Sequence, residues 1–249
     1  MANIFDIQLV FTRIPKLLEY LPITLEITVL SMVFGLLLGM ILAVFKIKHT
    51  PVLYQLTSIF VSFTRGTPLL VQLYITYYGI PIALKYYNYF NGTNYNINAV
   101  PPMIFVLVAF SLNEAAFNSE IIRAAVQSID KGQIEAAHSL GMTSFQVLRR
   151  IIVPEAFVVA LPTFGNSLIG LMKGTSLAFV CSVVEITAEG QILAGNDFRF
   201  FEVYISLAII YWVLTILIEQ TIKLIEKKIS IPNEIPQETV AEGNLYDTN

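Results

Sequence analysis

The chain has 249 residues, of which 55% are hydrophobic and only 13% are charged. A soluble domain carries about 25% charged residues, so this composition excludes an ordinary soluble globular protein and favours a membrane protein. The net charge of −3 gives no indication of a nucleic-acid partner, and none is expected. Because the sequence contains one cysteine, Cys181, it cannot form an internal disulfide and suggests no cysteine-based metal site.

Long apolar stretches alternate with short polar ones along most of the chain. Residues 1–20 are predicted to form an amphipathic segment at the membrane surface, with Arg13, Lys16 and Glu19 on its wet side. A spanning helix needs about 20 predominantly apolar residues. Five stretches satisfy this requirement: residues 21–45, 57–84, 101–124, 156–184 and 202–224. The predicted fold class is therefore an all-α membrane protein with five transmembrane helices.

Basic residues are distributed unequally between the two sides of the predicted spans. One side has four: Arg13, Lys16, Lys85 and Arg199. The other side has ten: Lys46, Lys48, Arg65, Arg123, Lys131, Arg149, Arg150, Lys223, Lys227 and Lys228. Since cytoplasmic segments are enriched in Lys and Arg, we expect the N-terminus outside and the C-terminus in the cytoplasm. Residues 21–228 are predicted to form the transmembrane domain, and residues 229–249 a disordered cytoplasmic tail.

The cytoplasmic loop 126–154 contains the pattern of a short helical hairpin, EAAHSLGMTSFQVLRR. Gly141 is expected to end a first helix in the left-handed conformation, and Thr143 with Gln146 has the pattern of a capping box that starts a second. Each helix has about ten residues, which is too few for stability in isolation, so both must pack on something. The residues leave two possibilities open, namely the ends of this chain's own spans and a groove on another protein.

The run Ser119–Pro154 resembles the EAA-loop signature of binding-protein-dependent ABC transporter permeases. Four residues match it: Glu135, Ala136, Ala137 and Gly141. The segments RGTPLLVQLYITYYGIP at residues 65–81 and LMKGTSLAF at residues 171–179 are similar to the polar amino-acid branch of that family. The similarity extends over most of residues 15–228. Gly174 departs from the pattern, because asparagine or another polar residue is expected there.

The resemblance implies a type I ABC importer permease of MetI-like architecture in the bacterial cytoplasmic membrane. Such a chain would carry a polar L-amino acid, such as glutamine, arginine, histidine or cystine. The implied partners are two cytoplasmic ATPase subunits, a second permease that is identical or homologous, and an extracytoplasmic substrate-binding protein. Six residues are expected to contact the ATPase: Glu135, Ala136, Ala137, Leu140, Gly141 and Phe145.

The chain is expected to be a transport subunit rather than an enzyme. The resemblance places ATP and Mg on the partner ATPase, with no cofactor bound by this chain. The sequence agrees, because it contains no G-x-x-x-x-G-K-[ST] phosphate-binding loop. Two other functions are less well supported. An ion-driven secondary amino-acid transporter commonly shows paired repeats, which we do not find, and an intramembrane enzyme needs a catalytic motif that is missing.

Polar residues inside spans are costly and are therefore candidates for function. The candidates for the substrate path are Asn113, Glu114, Asn118, Lys173, Thr175 and Ser176. The residues leave Glu114 open between a path residue and a structural group, and Lys173 open between path contact and a pair with Glu114. The family resemblance favours substrate contact, since a zwitterion needs an acceptor for its ammonium and a donor for its carboxylate.

Two further local features are predicted in the same spans. Glu120 and Arg123 are three residues apart near a helix end, which favours a structural ion pair. Gly174 is followed by Thr175 and Ser176, a combination typical of a loosened helix or of close helix packing.

Overall fold

The computed structural model describes residues 5–96 and 99–229, and these residues are almost entirely helical. The helices are α1 (Ile7–Leu18), α2 (Leu21–Ile47), α3 (Leu53–Gly66), α4 (Leu69–Asn91), α5 (Pro102–Gln127), α6 (Lys131–Ser139), α7 (Ser144–Val147), α8 (Val153–Gly174), α9 (Ile186–Asp197) and α10 (Phe200–Ile229). A π-helical turn, Leu148–Ile152, joins α7 to α8, and a 3-10 helix, Thr175–Cys181, follows α8. The predicted tail lies outside the described residues after Ile229.

Four helical runs among the described residues are long and apolar enough to cross a membrane: α2, α5, the run Ser144–Cys181 and α10. Helices α3 and α4 make a fifth span if they are counted together, although they are bent by 112°. The segment 57–84, predicted as one span, is therefore made of parts of two helices joined by a bend. The break lies at Thr67, which has extended φ and ψ of −116° and 144°, because the following Pro68 disfavours the helical conformation at this position.

Helices α2 and α5 pack unusually closely, because small residues of α2 face α5. A Cβ atom placed on Gly35 would lie 2.5 Å from the Cβ of Glu114, and one on Gly39 would lie 3.0 Å from the Cβ of Asn118. Small residues at such contacts allow backbones to approach in a membrane, where packing and hydrogen bonds, not hydrophobic burial, drive helix association. Glu114 and Asn118 are thereby held against α2 rather than pointing into open space.

A second packed unit is formed by α1, α9 and α10. Val10 and Leu17 of α1 are fully buried, and the Ser206 hydroxyl donates to the Val10 carbonyl at 2.7 Å. Arg13 of α1 pairs with Asp197 at the end of α9, whereas Lys16 and Glu19 are exposed. The interfacial location of residues 1–20 stays a prediction.

Helix α9 replaces what the apolar pattern indicated as a loop before the last span. The side chain of Glu185, directly before the helix, caps its N-terminus. Phe198, directly after the last helical residue, has the left-handed conformation. Its buried residues include Ile186 and Leu193, which pack in one cluster with Leu17 of α1. Tertiary burial therefore stabilises a helix whose sequence contains two glycines.

Candidate coupling hairpin and intramembrane polar site

The first half of the hairpin is closed by the glycine that the sequence indicated. Gly141 has a φ of +81°, which a glycine adopts without the steric cost that a Cβ brings. Its N–H donates to the His138 carbonyl at 2.9 Å, and the Met142 N–H donates to the Ala137 carbonyl at 3.1 Å. These two bonds form a Schellman motif, so the predicted end of the first helix is confirmed.

The second half of the hairpin begins with the predicted capping box. The Gln146 N–H donates to the Thr143 hydroxyl at 3.3 Å, and the Thr143 N–H donates to the Gln146 side-chain oxygen at 2.8 Å. The helix that follows is not a separate helix of ten residues, as predicted, but the start of a span. It continues through the π-helical turn into α8, where Pro154 lacks an N–H and the wider turn accommodates its ring.

The hairpin has an inward and an outward side. Ala137 and Val147 are buried at 4% and 1% exposure, and Ile134 packs on the cluster of Ile129, Ala156 and neighbours. Five of the six residues expected to contact an ATPase are exposed: Glu135, Ala136, Leu140, Gly141 and Phe145. Ala137 is the exception, because it is buried within this chain. One side of the hairpin therefore packs on this chain, and the other side is exposed and available to a groove on another protein.

Leu140 and Phe145 are the apolar residues that dominate the outward side. Their exposed fractions are 85% and 68%, although the chain packs comparable side chains elsewhere. They lie on either side of the Gly141 turn, so they form one apolar tip. An apolar tip beside charged residues such as Glu135 and Arg149 is typical of a contact surface rather than of a freely solvated loop.

Glu114 is a buried ionisable residue of α5. It is 6% exposed, and the Ser167 hydroxyl of α8 donates to its Oε2 at 2.7 Å. Lys173 lies six residues beyond Ser167, about 9 Å along the helix, and forms no ion pair with Glu114. The structure therefore brings Glu114 to α2 and α8, and not to Lys173.

Asn113 and Asn118 lie on either side of Glu114 in the sequence, but their side chains have different surroundings. Asn113 donates to the Gln72 side-chain oxygen at 3.0 Å. Gln72 in turn donates to the Thr64 carbonyl at 2.8 Å and to the Thr67 carbonyl at 3.1 Å, so it ties α4 to α3 across the bend. Asn118 is fully buried against α2, and its Oδ1 has no partner among the described residues.

The Lys173–Ser176 segment lies where α8 ends. The Ser176 hydroxyl donates to the Lys173 carbonyl at 3.0 Å, and the buried Thr175 hydroxyl donates to the Met172 carbonyl at 2.8 Å. From Thr175 the α-helix changes to a 3-10 helix, which is tighter than an α-helix and so differs from the predicted loosening. Lys173 is exposed, and no carboxylate among the described residues pairs with its ammonium.

The predicted pair between Glu120 and Arg123 is present and has a third member. Arg123 donates to Glu120 Oε2 at 3.0 and 2.7 Å. Lys46, at the end of α2, donates to Glu120 Oε1 at 2.5 Å. The sequence did not indicate Lys46, because the two residues are 74 positions apart. This triad ties the C-terminal ends of α2 and α5 together.

Sequence reasoning also missed a buried polar group at the opposite end of the molecule. Glu185 is fully buried, and its Oε1 accepts from the N–H groups of Thr187 and Ala188 at 2.9 Å each. Its Oε2 accepts from the Thr24 hydroxyl and the Tyr211 hydroxyl at 3.3 Å each. One carboxylate thereby joins α2, α9 and α10. The two hydroxyl partners lie 26 and 161 positions away, so no local pattern reveals them.

A family of known proteins shares this helical order. The family described as binding-protein-dependent transport system inner membrane component matches residues 35–231. The chain belongs to this family. Its fold is accordingly the all-helical, MetI-like fold of ABC permeases, as the EAA-loop resemblance implied.

The similarity extends to individual relatives over nearly the full chain. The chain is 40% identical over 230 residues to the probable amino-acid permease protein YxeN of Bacillus subtilis strain 168, covering 92% of this chain and 98% of that protein. It is 39% identical over 246 residues to the L-cystine transport system permease protein TcyL of the same organism, covering 99% and 100%.

A solved structure agrees with these relatives. The crystal structure of an amino acid ABC transporter with histidines superposes with a TM-score of 0.75 at 32% identity, over 91% of this chain and 100% of that chain. The family resemblance predicted from the hairpin and the other two motifs is thus confirmed. The apolar helices of the chain and its family both indicate the membrane-embedded part of a transport system.

Proposed function

We propose that the chain is the permease subunit of an ATP-driven importer for a polar L-amino acid in the bacterial cytoplasmic membrane. The names of its relatives support an amino-acid substrate. The apolar tip of Leu140 and Phe145 carries the proposal, since it is a contact surface that this chain leaves uncovered at the end of a span. A cytoplasmic ATPase subunit, which binds the ATP and Mg, covers that tip in the proposed assembly.

The proposed orientation places the hairpin in the cytoplasm and the N-terminus outside. The asymmetry of basic residues supports it, and so does the Lys46–Glu120–Arg123 triad, which lies at the same end of the spans as the hairpin. The opposite end then faces the binding protein that delivers substrate. That end holds α1 and α9 with the Arg13–Asp197 pair.

A second permease subunit is part of the proposal because of Lys173. An exposed ammonium at membrane depth costs too much if it faces lipid, so it requires a water-filled path or another polypeptide. A second copy, identical or homologous, would enclose the exposed face and place Lys173 on the path between the two subunits. The substrate carboxylate would then meet Lys173. Because Glu114 does not converge with Lys173 in this structure, it would accept the substrate ammonium at a different stage of transport. Two subunits would also present two hairpins to two ATPase subunits.

The hairpin proposal is tested with two variants of the tagged full chain, Leu140→Glu and Phe145→Glu. Each variant and the parent chain are purified from the native membrane, and the ATPase that co-purifies is measured. We expect the amount of co-purified ATPase to fall at least about tenfold, because a charge replaces an apolar side chain in a desolvated contact. Both residues are exposed here, so the variants should keep the melting temperature of the parent chain in detergent.

Gln133→Glu is the matched control, because it adds the same charge to an exposed position of the same hairpin. It should retain the ATPase. If both hairpin variants retain the ATPase at the level of Gln133→Glu, the tip is not the coupling surface. If no ATPase accompanies the parent chain under several mild conditions, the importer proposal itself fails, and uptake driven by an ion gradient becomes the next assay.

The role of Glu114 is tested with Glu114→Gln in proteoliposomes containing the complete transporter. The amide oxygen can still accept the Ser167 hydrogen bond, so the fold should be retained while the negative charge is removed. We expect the transport rate to fall at least about tenfold, with the loss of one charged contact to the substrate ammonium. Ser167→Ala removes the hydrogen bond and keeps the charge. Unchanged transport in Glu114→Gln would make Glu114 a structural group.

A further inference from the structure

Helix α3 has an apolar face that no other part of the described chain covers. It is bent by 112° from α4, so it runs close to the membrane plane when α4 crosses the bilayer. Leu56, Ile59 and Phe63 form one stripe along it and are exposed at 58%, 67% and 54%. Val61 and Thr64, on a different face, are buried against the rest of the protein. This arrangement is typical of a helix at the surface of a membrane.

A polar cavity of about 470 Å³ opens beside α3, between its last two turns and the inner ends of α2 and α5. Its walls include Lys46, Ser58, Ser62, Arg65, Phe117 and Glu120. The Ser58 hydroxyl oxygen is buried and has no hydrogen-bond partner among the described residues. A buried hydroxyl without a partner is costly, so this cavity is built to receive a polar group.

The cavity carries an excess of positive charge. Both oxygens of Glu120 are already used, one by Lys46 at 2.5 Å and the other by Arg123 at 2.7 Å. Arg65 lies over the ring of Phe117, 5.4 Å from its centroid, and no carboxylate of the described residues pairs with it. Two cations of the cavity wall, Lys46 and Arg65, therefore face one carboxylate that Arg123 also neutralises from outside the cavity, and an incoming anion is favoured.

We propose that this cavity binds the phosphate of an anionic phospholipid from the cytoplasmic leaflet. Arg65 presents a planar donor fork that suits phosphate oxygens, and the Ser58 and Ser62 hydroxyls add further donors. The acyl chains lie along the stripe of Leu56, Ile59 and Phe63. The leaflet assignment rests on the orientation proposed above. Basic pockets between helices on the cytoplasmic side of membrane proteins are suited to anionic headgroups.

Two other occupants fit the cavity less well. A zwitterionic amino acid needs an acceptor for its ammonium, and both oxygens of Glu120 are already bonded to Lys46 and Arg123. A free phosphate ion satisfies the charge but leaves the apolar stripe uncovered. A phospholipid satisfies the charge of the cavity and the apolar face of α3 with one molecule.

The test is native mass spectrometry of the purified full chain after exchange into mixed micelles of phosphatidylcholine and phosphatidylglycerol. We expect phosphatidylglycerol to be retained in clear preference to phosphatidylcholine. Arg65→Gln should lower its retention about tenfold, as expected for the loss of a charge-assisted contact. Ser62→Glu places a negative charge in the cavity from an exposed position and should have the same effect in a chain that still folds. Lys48→Gln, which removes a nearby cation outside the cavity, should not.

Three results would overturn the proposal. Equal retention of the two lipids would show that charge does not select the ligand. Retention in Arg65→Gln and Ser62→Glu at the level of Lys48→Gln would place the bound lipid elsewhere. Displacement of the lipid by millimolar inorganic phosphate would identify a site for a free anion. None of these measurements depends on transport, so a failure here differs from a failure to co-purify an ATPase.

Discussion

At the scale of single residues, two glycines of α2 determine how closely α2 approaches α5. Gly35 and Gly39 face Glu114 and Asn118 at distances that leave no space for a side chain. The polar residues of α5 are therefore positioned by backbone contact. Their orientation depends on the absence of a methyl group across the interface as much as on their own hydrogen bonds.

Gly35→Ala should destabilise the chain, because its Cβ would lie 2.5 Å from that of Glu114 and the two helices must separate. We expect a cost of about 1–3 kcal/mol, the range for overpacking a tight interface. The measurement is the midpoint of thermal unfolding in detergent. Gly79→Ala is the control, since nothing lies within 4 Å of that position, and alanine favours helix. Equal midpoints for the two variants would contradict the close contact.

At the scale of elements, the bend between α3 and α4 is stabilised by one side chain. Gln72 donates to carbonyl groups of Thr64 and Thr67 and accepts from Asn113. The break itself follows from Pro68, but its angle depends on these bonds. Since α3 forms one wall of the charged cavity, Gln72 also positions that wall.

Gln72→Leu keeps the size of the side chain and removes its hydrogen bonds. The carbonyl of Thr64 and the amide of Asn113 then lose a partner in a region of low dielectric constant. We expect a loss of about 1–3 kcal/mol, measured as a lower unfolding midpoint, and faster cleavage by protease near Thr67. Gln55→Leu, on the exposed face of α3, provides the comparison. If Gln72→Leu is cleaved near Thr67 no faster than Gln55→Leu, Gln72 is not needed to stabilise the bend.

Elements with local signals could be predicted from the sequence. The Gly141 turn and the Thr143 capping box depend on residues within a few positions of one another, and both are present. The spans α2, α5 and α10 follow from long apolar runs. Helix α9, the Gln72 contacts and the Glu185 network depend on residues far apart in the chain, so no short pattern indicates them. The family resemblance alone gave the expectation that the hairpin contacts an ATPase. The structure then showed that Ala137, one of the six expected contact residues, is buried.

At the scale of the whole molecule, the exposed faces of the spans must meet either lipid or water. Lys173 and Leu37 are both exposed within long helices, but one is charged and the other apolar. A path through a two-subunit assembly requires that the face with Lys173 be wet. The face with Leu37 has no such requirement.

Lys173→Cys should react with a membrane-impermeant maleimide in the assembled transporter, whereas Leu37→Cys should not. Thiol reaction requires water at the site, because the thiolate is the reactive form. The background is Cys181→Ala, which removes the buried native thiol. The measurement is the labelled fraction by mass spectrometry, with and without substrate. Equal labelling of the two variants would contradict a water-filled path at Lys173.

The hairpin and α8 share one uninterrupted helical backbone from Ser144 to Gly174, with a π-helical turn near its base. Phe145 and Ser167, the partner of Glu114, are 22 residues apart along it, which is about 33 Å. Such a rod acts as a lever, in which a tilt of about 5° moves the far end by roughly 3 Å. That is enough to break a hydrogen bond of 2.7 Å. The π-helical turn and Pro162, where the regular backbone hydrogen bonds are interrupted, determine how much of that tilt reaches Ser167.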